Sequence, residues 1–352
     1  MIGAYIRDRL SDPSALFHLL NQMTNTQVDA MVRFHCKIVC PLIHRFAEWA
    51  LRNLGLDVRG EWTRTTDWDA LSSTETMRMV RAMYRFQLMC NLFGLGRYIG
   101  DRSRSYFVSG HNTIFQAFLS NFTAFELEEV RCIFGYVVSR YDKVFQSIAA
   151  DLHPDNPRFN TQQRPPTPDG AFDFLARGTD STYDRSEYQL GTASRGLDLL
   201  HAVLIKTPYN TNDHGQHEDL VVTIQPQIAR GPFLDMMDGA LDTERYHYYR
   251  SDNPTERDEK EKKREPMIFV GDVSTWHDQD GDKDPPPPLA WTLMWGGTYS
   301  NLYGSCIPES IARWGYIFWD AERLIRSGGK ELLMRQWEEE WSDFDVREQF
   351  PL

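Results

Sequence analysis

Apolar side chains recur every three or four residues from Val28 onward: Val28, Met31, Val32, Ile38, Leu42, Ile43, Phe46, Trp49, Ala50 and Leu54. That period lines one face of a helix. It predicts an amphipathic helix over 28–54, kinked near Pro41, where proline removes a backbone donor and crowds the turn before it. Gly55 is a natural stop. A shorter apolar piece over 14–23 is entered through Asp12-Pro13, with proline in the first turn, where its missing N–H costs little. Ser72-Ser-Thr-Glu75 has the spacing of a capping box, in which serine and glutamate satisfy each other's free amides. The helix it opens carries Met77, Met79, Val80, Met83, Tyr84, Phe86, Leu88, Met89, Leu92 and Phe93. Apolar residues lie on nearly all its sides, so it reads as a central, mostly buried helix. Thr123 and Glu126 repeat the capping box. The helix that follows them runs toward Ala150, with Leu127, Val130, Ile133, Phe134, Val137, Val138, Tyr141, Val144, Phe145 and Ile148 on its inner side.

Beyond residue 150 the pattern weakens. His153-Pro-Asp-Asn-Pro157 and Arg164-Pro-Pro-Thr-Pro-Asp-Gly170 predict a Pro-rich connection. Helical periodicity returns over 193–205 and, faintly, over 233–249. Residues 250–266, with every position of 256–265 charged, predict a solvated loop or helix extension. The β-branched runs 220–224 and 267–270 are candidates for short extended segments, too short for periodicity to decide. Two closing helices are expected over 309–325 and 330–341, separated by Gly328-Gly329. The fold class is therefore mainly α: a large multi-helix globular bundle with long Pro-rich and charged loops and short strands, if any, in the second half. We expect a single large helical domain over 1–352, with a helical lobe over 1–150, a linker near 153–170 and a loop-rich lobe over 171–352.

Composition sharpens this picture. Hydrophobic residues make up 41% of the 352 and aromatics 13%, enough to bury a core over most of the length. The formal net charge of −12, without a concentrated basic patch, argues against nucleic acid as a partner. No stretch reaches the roughly 18 apolar residues of a membrane helix, so no membrane partner is expected. Charges interrupt the N-terminal segment, which does not read as a signal peptide. The glycine of Met1-Ile2-Gly3 does not directly follow methionine, as myristoylation requires. Five cysteines at unpaired spacings, Cys36, Cys40, Cys90, Cys132 and Cys306, point to reduced thiols and an intracellular location, cytoplasmic or nuclear.

Candidate chemistry is sparse. Asp278, Asp280, Asp282 and Asp284 alternate like a calcium loop, but Lys283 and Leu289 stand where the glycine and bidentate glutamate belong. His214 and His217, followed by Glu218, lack the metallopeptidase order and sit among loop-forming residues. Cys36, Cys40 and His44 share a helical face but span about 12 Å along the axis, too far for one zinc ion. Two buried thiols and a capped histidine are the better reading. Gly304-Ser305-Cys306 has no nucleophile elbow around it. Gly94, Gly96 and Gly100 are wrongly spaced for a dinucleotide loop and follow a helix rather than a strand. No apolar helix carries the aspartate cluster of a terpene cyclase. The aromatics Trp291, Trp295, Tyr299, Tyr303, Trp314, Tyr316, Phe318 and Trp319 read as core packing before ligand pocket. No catalytic residue, cofactor-binding residue, metal ligand or cofactor is assigned from sequence.

Three segments together carry a family resemblance: residues 32–51 around Phe46-Ala-Glu-Trp49, residues 81–93 (Arg-Ala-Met-Tyr-Arg-Phe-Gln-Leu-Met-Cys-Asn-Leu-Phe), and residues 313–324 (Arg-Trp-Gly-Tyr-Ile-Phe-Trp-Asp-Ala-Glu-Arg-Leu). In this order they resemble a large family of filamentous-fungal proteins, many of them F-box-like. The resemblance spans most of the chain and implies a helical fold and a fungal source, with no catalytic residue to carry over. The Leu-Pro-x-Glu-Leu pattern of an F-box is not found; residues 10–20 retain at most its tail. The expectation is a non-enzymatic scaffold that recognises another protein, with substrate receptor for ubiquitination as its sharper form. The alternative is an enzyme or small-ligand binder with a site inside the helical bundle.

Overall fold

The computed structural model describes residues 23–60, 70–94, 118–148, 188–206, 214–224, 227–228, 256–272, 286–342 and 346–348. These are mainly α-helical, with no strand among them; a single antiparallel bridge joins Pro266 to Thr298. The helices are α1 (Asn25–Phe34), α2 (Cys40–Arg59), α3 (Ser73–Phe93), α4 (Ala124–Ile148), α5 (Leu197–His201), α6 (His214–Ile224), α7 (Glu256–Lys263), α8 (Leu289–Met294), α9 (Glu309–Ala312), α10 (Ala321–Arg326) and α11 (Gly329–Glu340). The expected pieces over 14–23, 153–170 and 233–249 lie outside the described residues. No described helix is long and apolar enough to cross a membrane.

Local sequence explains most helix starts. Ser72 and Glu75 form the expected capping box, each accepting the other's amide at 3.0 Å. At α4, Glu126 accepts the Thr123 amide and hydroxyl at 3.0 and 3.1 Å. A third box, Thr24 with Gln27, opens α1. The kink expected at Pro41 takes the form of a π turn over His35–Val39, joining α1 to α2. Pro41 has no N–H for the carbonyl one turn back, and its ring crowds that carbonyl. The wider turn accommodates both: the Cys40 amide reaches the His35 carbonyl, five residues back.

Three expectations are corrected. Gly55 does not stop α2, which runs on to Arg59 before Gly60 turns at φ 74°. Residues 220–224 are helical rather than extended, as the last turn of α6. The helix expected over 309–325 is three pieces, because Gly315 takes the left-handed φ of 63° between α9 and a 3-10 turn over Tyr316–Phe318. A Cβ at Gly315 would lie 3.2 Å from the tip of the Phe46 ring, so strain and space both select glycine there.

The chain divides into two compact units that interleave in sequence. One comprises residues 1–42, 84–114 and 136–239, the other 43–83, 115–135 and 240–352. The first unit buries Val39, Leu42, Phe86, Cys90, Tyr141, Phe145, Leu197, Leu200, Leu220 and Ile224. In it α5 packs on the π turn of 35–39, and α6 on a second π turn over Ala202–Lys206. Gln87 accepts the Leu197 amide at 2.7 Å, fixing the start of α5.

The second unit is built on indoles. Trp291, Trp295, Trp314, Trp319 and Trp337 are all fully buried. Trp291 tilts against Trp295 with centroids 5.7 Å apart, and Trp295 meets Trp337 edge-on at 5.4 Å. The Trp314 N–H donates to Gln336 and the Trp319 N–H to the Trp314 carbonyl, both at 2.9 Å. These aromatics are core, as their spacing suggested. Phe46 closes the unit, its ring edge-on to Phe318 at 5.1 Å. Replacing Phe46 by alanine is expected to cost about 3–5 kcal/mol, because a fully buried ring leaves a cavity that its neighbours fill only in part. Chemical denaturation of the purified variant, compared with the parent chain, measures that loss.

Candidate functional sites

Two arrangements of polar side chains stand out, one in each unit. In the second unit, four arginines meet six carboxylates, four of these being buried glutamates. Glu75, the capping residue of α3, is also gripped by Arg323, whose Nε lies 2.6 Å from Oε1 and whose Nη2 lies 2.8 Å from Oε2. The same carboxylate accepts the Asp320 amide, while Arg323 reaches the Ala70 carbonyl and lies over the Trp319 ring at 5.7 Å. Arg78 bridges Asp272 at 2.9 Å and Asp320 at 3.2 Å. Asp272 in turn accepts the Ala321 amide at 2.8 Å. Arg81 holds Glu129 through two bonds and stands 3.5 Å from Glu126. Glu128 accepts the Gly304 amide at 2.5 Å and lies beside Arg131 and the Tyr316 hydroxyl. A buried carboxylate needs such partners, and here each partner is a neighbouring helix or turn of the same unit. The arrangement can lock segments together. Its carboxylates accept from guanidinium and amide donors.

The second arrangement surrounds the π turn. His35 Nε2 lies 3.4 Å from Cys40 Sγ, and His35 Nδ1 lies 3.2 Å from the Tyr84 hydroxyl. The His35 and Tyr84 rings are stacked, 6° from parallel. Which histidine nitrogen carries the proton depends on the tautomer. With Nδ1–H donating to the tyrosine oxygen, Nε2 accepts from the thiol; with the tyrosine donating, Nε2–H points at sulfur. Burial, and then the neighbouring Cys36, push the Cys40 thiol up, so it rests protonated. Cys36 itself is exposed.

Directly before this cluster runs α1, none of whose ten residues is buried. Val28, Met31 and Val32 are 43, 53 and 55% exposed. With His35 they occupy the spacing i, i+3, i+4, i+7 along one helical face. The expected inward stripe of 28–54 therefore faces outward over its first turns and inward only from Val39 onward. Amphipathicity reveals that a face is apolar; it does not reveal what covers it.

The remaining sequence candidates separate cleanly. Asp278–Asp284 lies outside the described residues. His214, His217 and Glu218 lie in the first turns of α6 rather than a loop, and their side chains are outside the described set. Cys36, expected to be buried, is exposed and Cys40 only half-buried; the imidazole at Cys40 is that of His35, while His44 is exposed. Ser305 is exposed on a 3-10 turn whose Gly304 amide is taken by Glu128. Gly94 follows the end of α3, and the rest of that glycine run is outside the described residues. Among the described residues, no group of three histidine, cysteine or carboxylate side chains is placed to hold a metal ion. Sequence reading missed the His35–Cys40 pair because residues five apart meet only across a π turn. Pro41 was the available signal.

In comparisons with known proteins, no family model, no curated protein and no solved structure matches the chain.

One titration follows from the ionic cluster. Burial, together with Asp272 and Glu75 nearby, pushes the Asp320 carboxyl up to about 6 against the opposing effects of Ser72 and Arg78; its ordinary value is 3.8. A raised folded-state value means the folded protein holds this proton more tightly. Its contribution to stability is present below about pH 4 and lost as pH rises toward 6. Asp320→Asn cannot ionise. Relative to the parent, the variant is expected to gain stability between pH 4 and pH 7, read as the difference in urea midpoint at each pH.

Proposed function

We propose that the protein is a non-enzymatic interaction scaffold, and that α1 is its docking element, inserting Val28, Met31 and Val32 into an apolar groove on another protein. The observation that carries this is a capped, ten-residue helix with no buried residue and three large apolar side chains on one face. The i, i+3, i+4 spacing is that of helices read by hydrophobic grooves. Asp29 and Arg33 lie together on one flank of the face. They favour a groove bordered on that side by a basic and an acidic residue in matching order.

The three side chains are each about half exposed. Covering them recovers roughly 1 kcal/mol apiece, about 3 kcal/mol in all. That corresponds to a factor of about a hundred in affinity, fitting a reversible contact rather than a permanent one. The sharper form, a substrate receptor of a ubiquitin ligase, is supported only by the sequence resemblance to F-box-like proteins; it requires a cullin adaptor to co-purify and falls if none does. The buried ionic cluster supports a structural rather than catalytic use of the second unit's carboxylates.

The test is a photo-crosslinking side chain at Met31 of the full-length chain, activated in an extract of the source cells, with crosslinked peptides sequenced. The expected product is one protein, joined through an apolar groove between helices, and Val32→Asp is expected to reduce its yield at least about tenfold. Crosslinks to α1 of a second copy would replace the proposal with self-association. Crosslinks scattered over unrelated peptides, or unchanged by Val32→Asp, would refute it.

A further inference from the structure

The cluster at the π turn has a chemistry that docking does not use. We propose that Cys40 and Cys36 form a thiol-oxidation site, in which His35 takes the Cys40 proton and the oxidant is a hydroperoxide. Three features carry this. The first is a nucleophile–base contact, Cys40 Sγ to His35 Nε2 at 3.4 Å. The second is an orienting group on the other ring nitrogen, the Tyr84 hydroxyl at 3.2 Å from Nδ1. That order of nucleophile, base and orienting group is how a protonated thiol is activated. The third is an exposed second cysteine four residues away on the same turn. Four residues of helix rise about 6 Å, and a disulfide spans Cα separations of roughly 4.4–6.8 Å.

The steps balance as follows. His35 Nε2 accepts the Cys40 proton, and Nδ1–H donates to the Tyr84 oxygen. The thiolate attacks the outer oxygen of hydrogen peroxide, the O–O bond breaks, and the departing hydroxide takes the proton from His35 as water. Cys40 is then a sulfenic acid. The Cys36 sulfur attacks the Cys40 sulfur, the S–O bond breaks, and hydroxide leaves with the Cys36 proton as a second water. Two thiols and one peroxide give one disulfide and two waters. Cys90, Cys132 and Cys306 are buried, out of reach of dissolved peroxide, so all three serve as internal references.

Hydrogen peroxide and dimedone, applied to the full-length chain and followed by peptide mass spectrometry, test the site. In the parent, a Cys36–Cys40 disulfide is expected before any change at the three buried thiols. In Cys36→Ser, the disulfide is lost and a dimedone adduct accumulates on Cys40. His35→Gln is expected to slow Cys40 oxidation about tenfold or more. Tyr84→Phe, which keeps the stacked ring, slows it less and so provides a second reading if His35→Gln disturbs the turn. An adduct on Cys36 rather than Cys40, or a Cys40 rate unchanged in both His35→Gln and Tyr84→Phe, overturns the proposal.

Discussion

A carboxylate taken out of water must be met by a charge or by several donors, and this requirement organises the second unit. Glu128 and Glu129 are wholly buried and Glu75 is nearly so. Removing a single partner from such a pair is costly because the remaining charge stays buried, by about 3–5 kcal/mol. Arg323, Arg78 and Arg81 are therefore as much a part of the core as the tryptophans they border. The indoles supply the apolar area, while the ion pairs dictate which segment lies against which. Glu75 joins the two roles. It caps α3, binds Arg323 in a two-pronged contact, and accepts the amide that precedes α10.

The local half of this was legible in the sequence. The serine, threonine and glutamate of two capping boxes announce α3 and α4 because the partners are three residues apart. Arg323 is out of reach of such reasoning, since 248 residues separate it from Glu75. The same limit explains the closing segment. Its apolar spacing suggests one helix over 309–325, yet the left-handed Gly315, packed against Phe46, breaks it. Proline at position 41 signalled a disturbance, but only the hydrogen bond from Cys40 back to His35 shows that the backbone widens rather than bends. That widening brings the imidazole to the thiol, a pairing that helical periodicity cannot anticipate.

The first unit differs in kind at α1. A stripe that continues smoothly from Val28 to Leu54 in the sequence is interrupted at the π turn. Before it, valine and methionine side chains face solvent on a helix that buries nothing. After it, Val39 and Leu42 are fully buried. Isolated exposed apolar residues, such as Met77 or Ile325, are ordinary on any protein surface. Three on one capped helical face, ending at a thiol–imidazole pair, form a feature that water alone does not favour. Docking and thiol chemistry make separate demands on it: the first uses the face of 28–32, the second the turn of 35–40.

The central claim is that α1 buries none of its residues and is held by its own capping, its covalent junction to α2 and the half-buried Phe34 ring beside Tyr84. Hydrogen exchange on the isolated full-length protein addresses it directly, because amides open at the free energy of the smallest unit that frees them. The account predicts that amides of α1 exchange through local opening, orders of magnitude faster than those in the middle of α3 and α4. Protection of α1 equal to that of α3 and α4 would contradict it, since such protection requires buried residues and α1 has none.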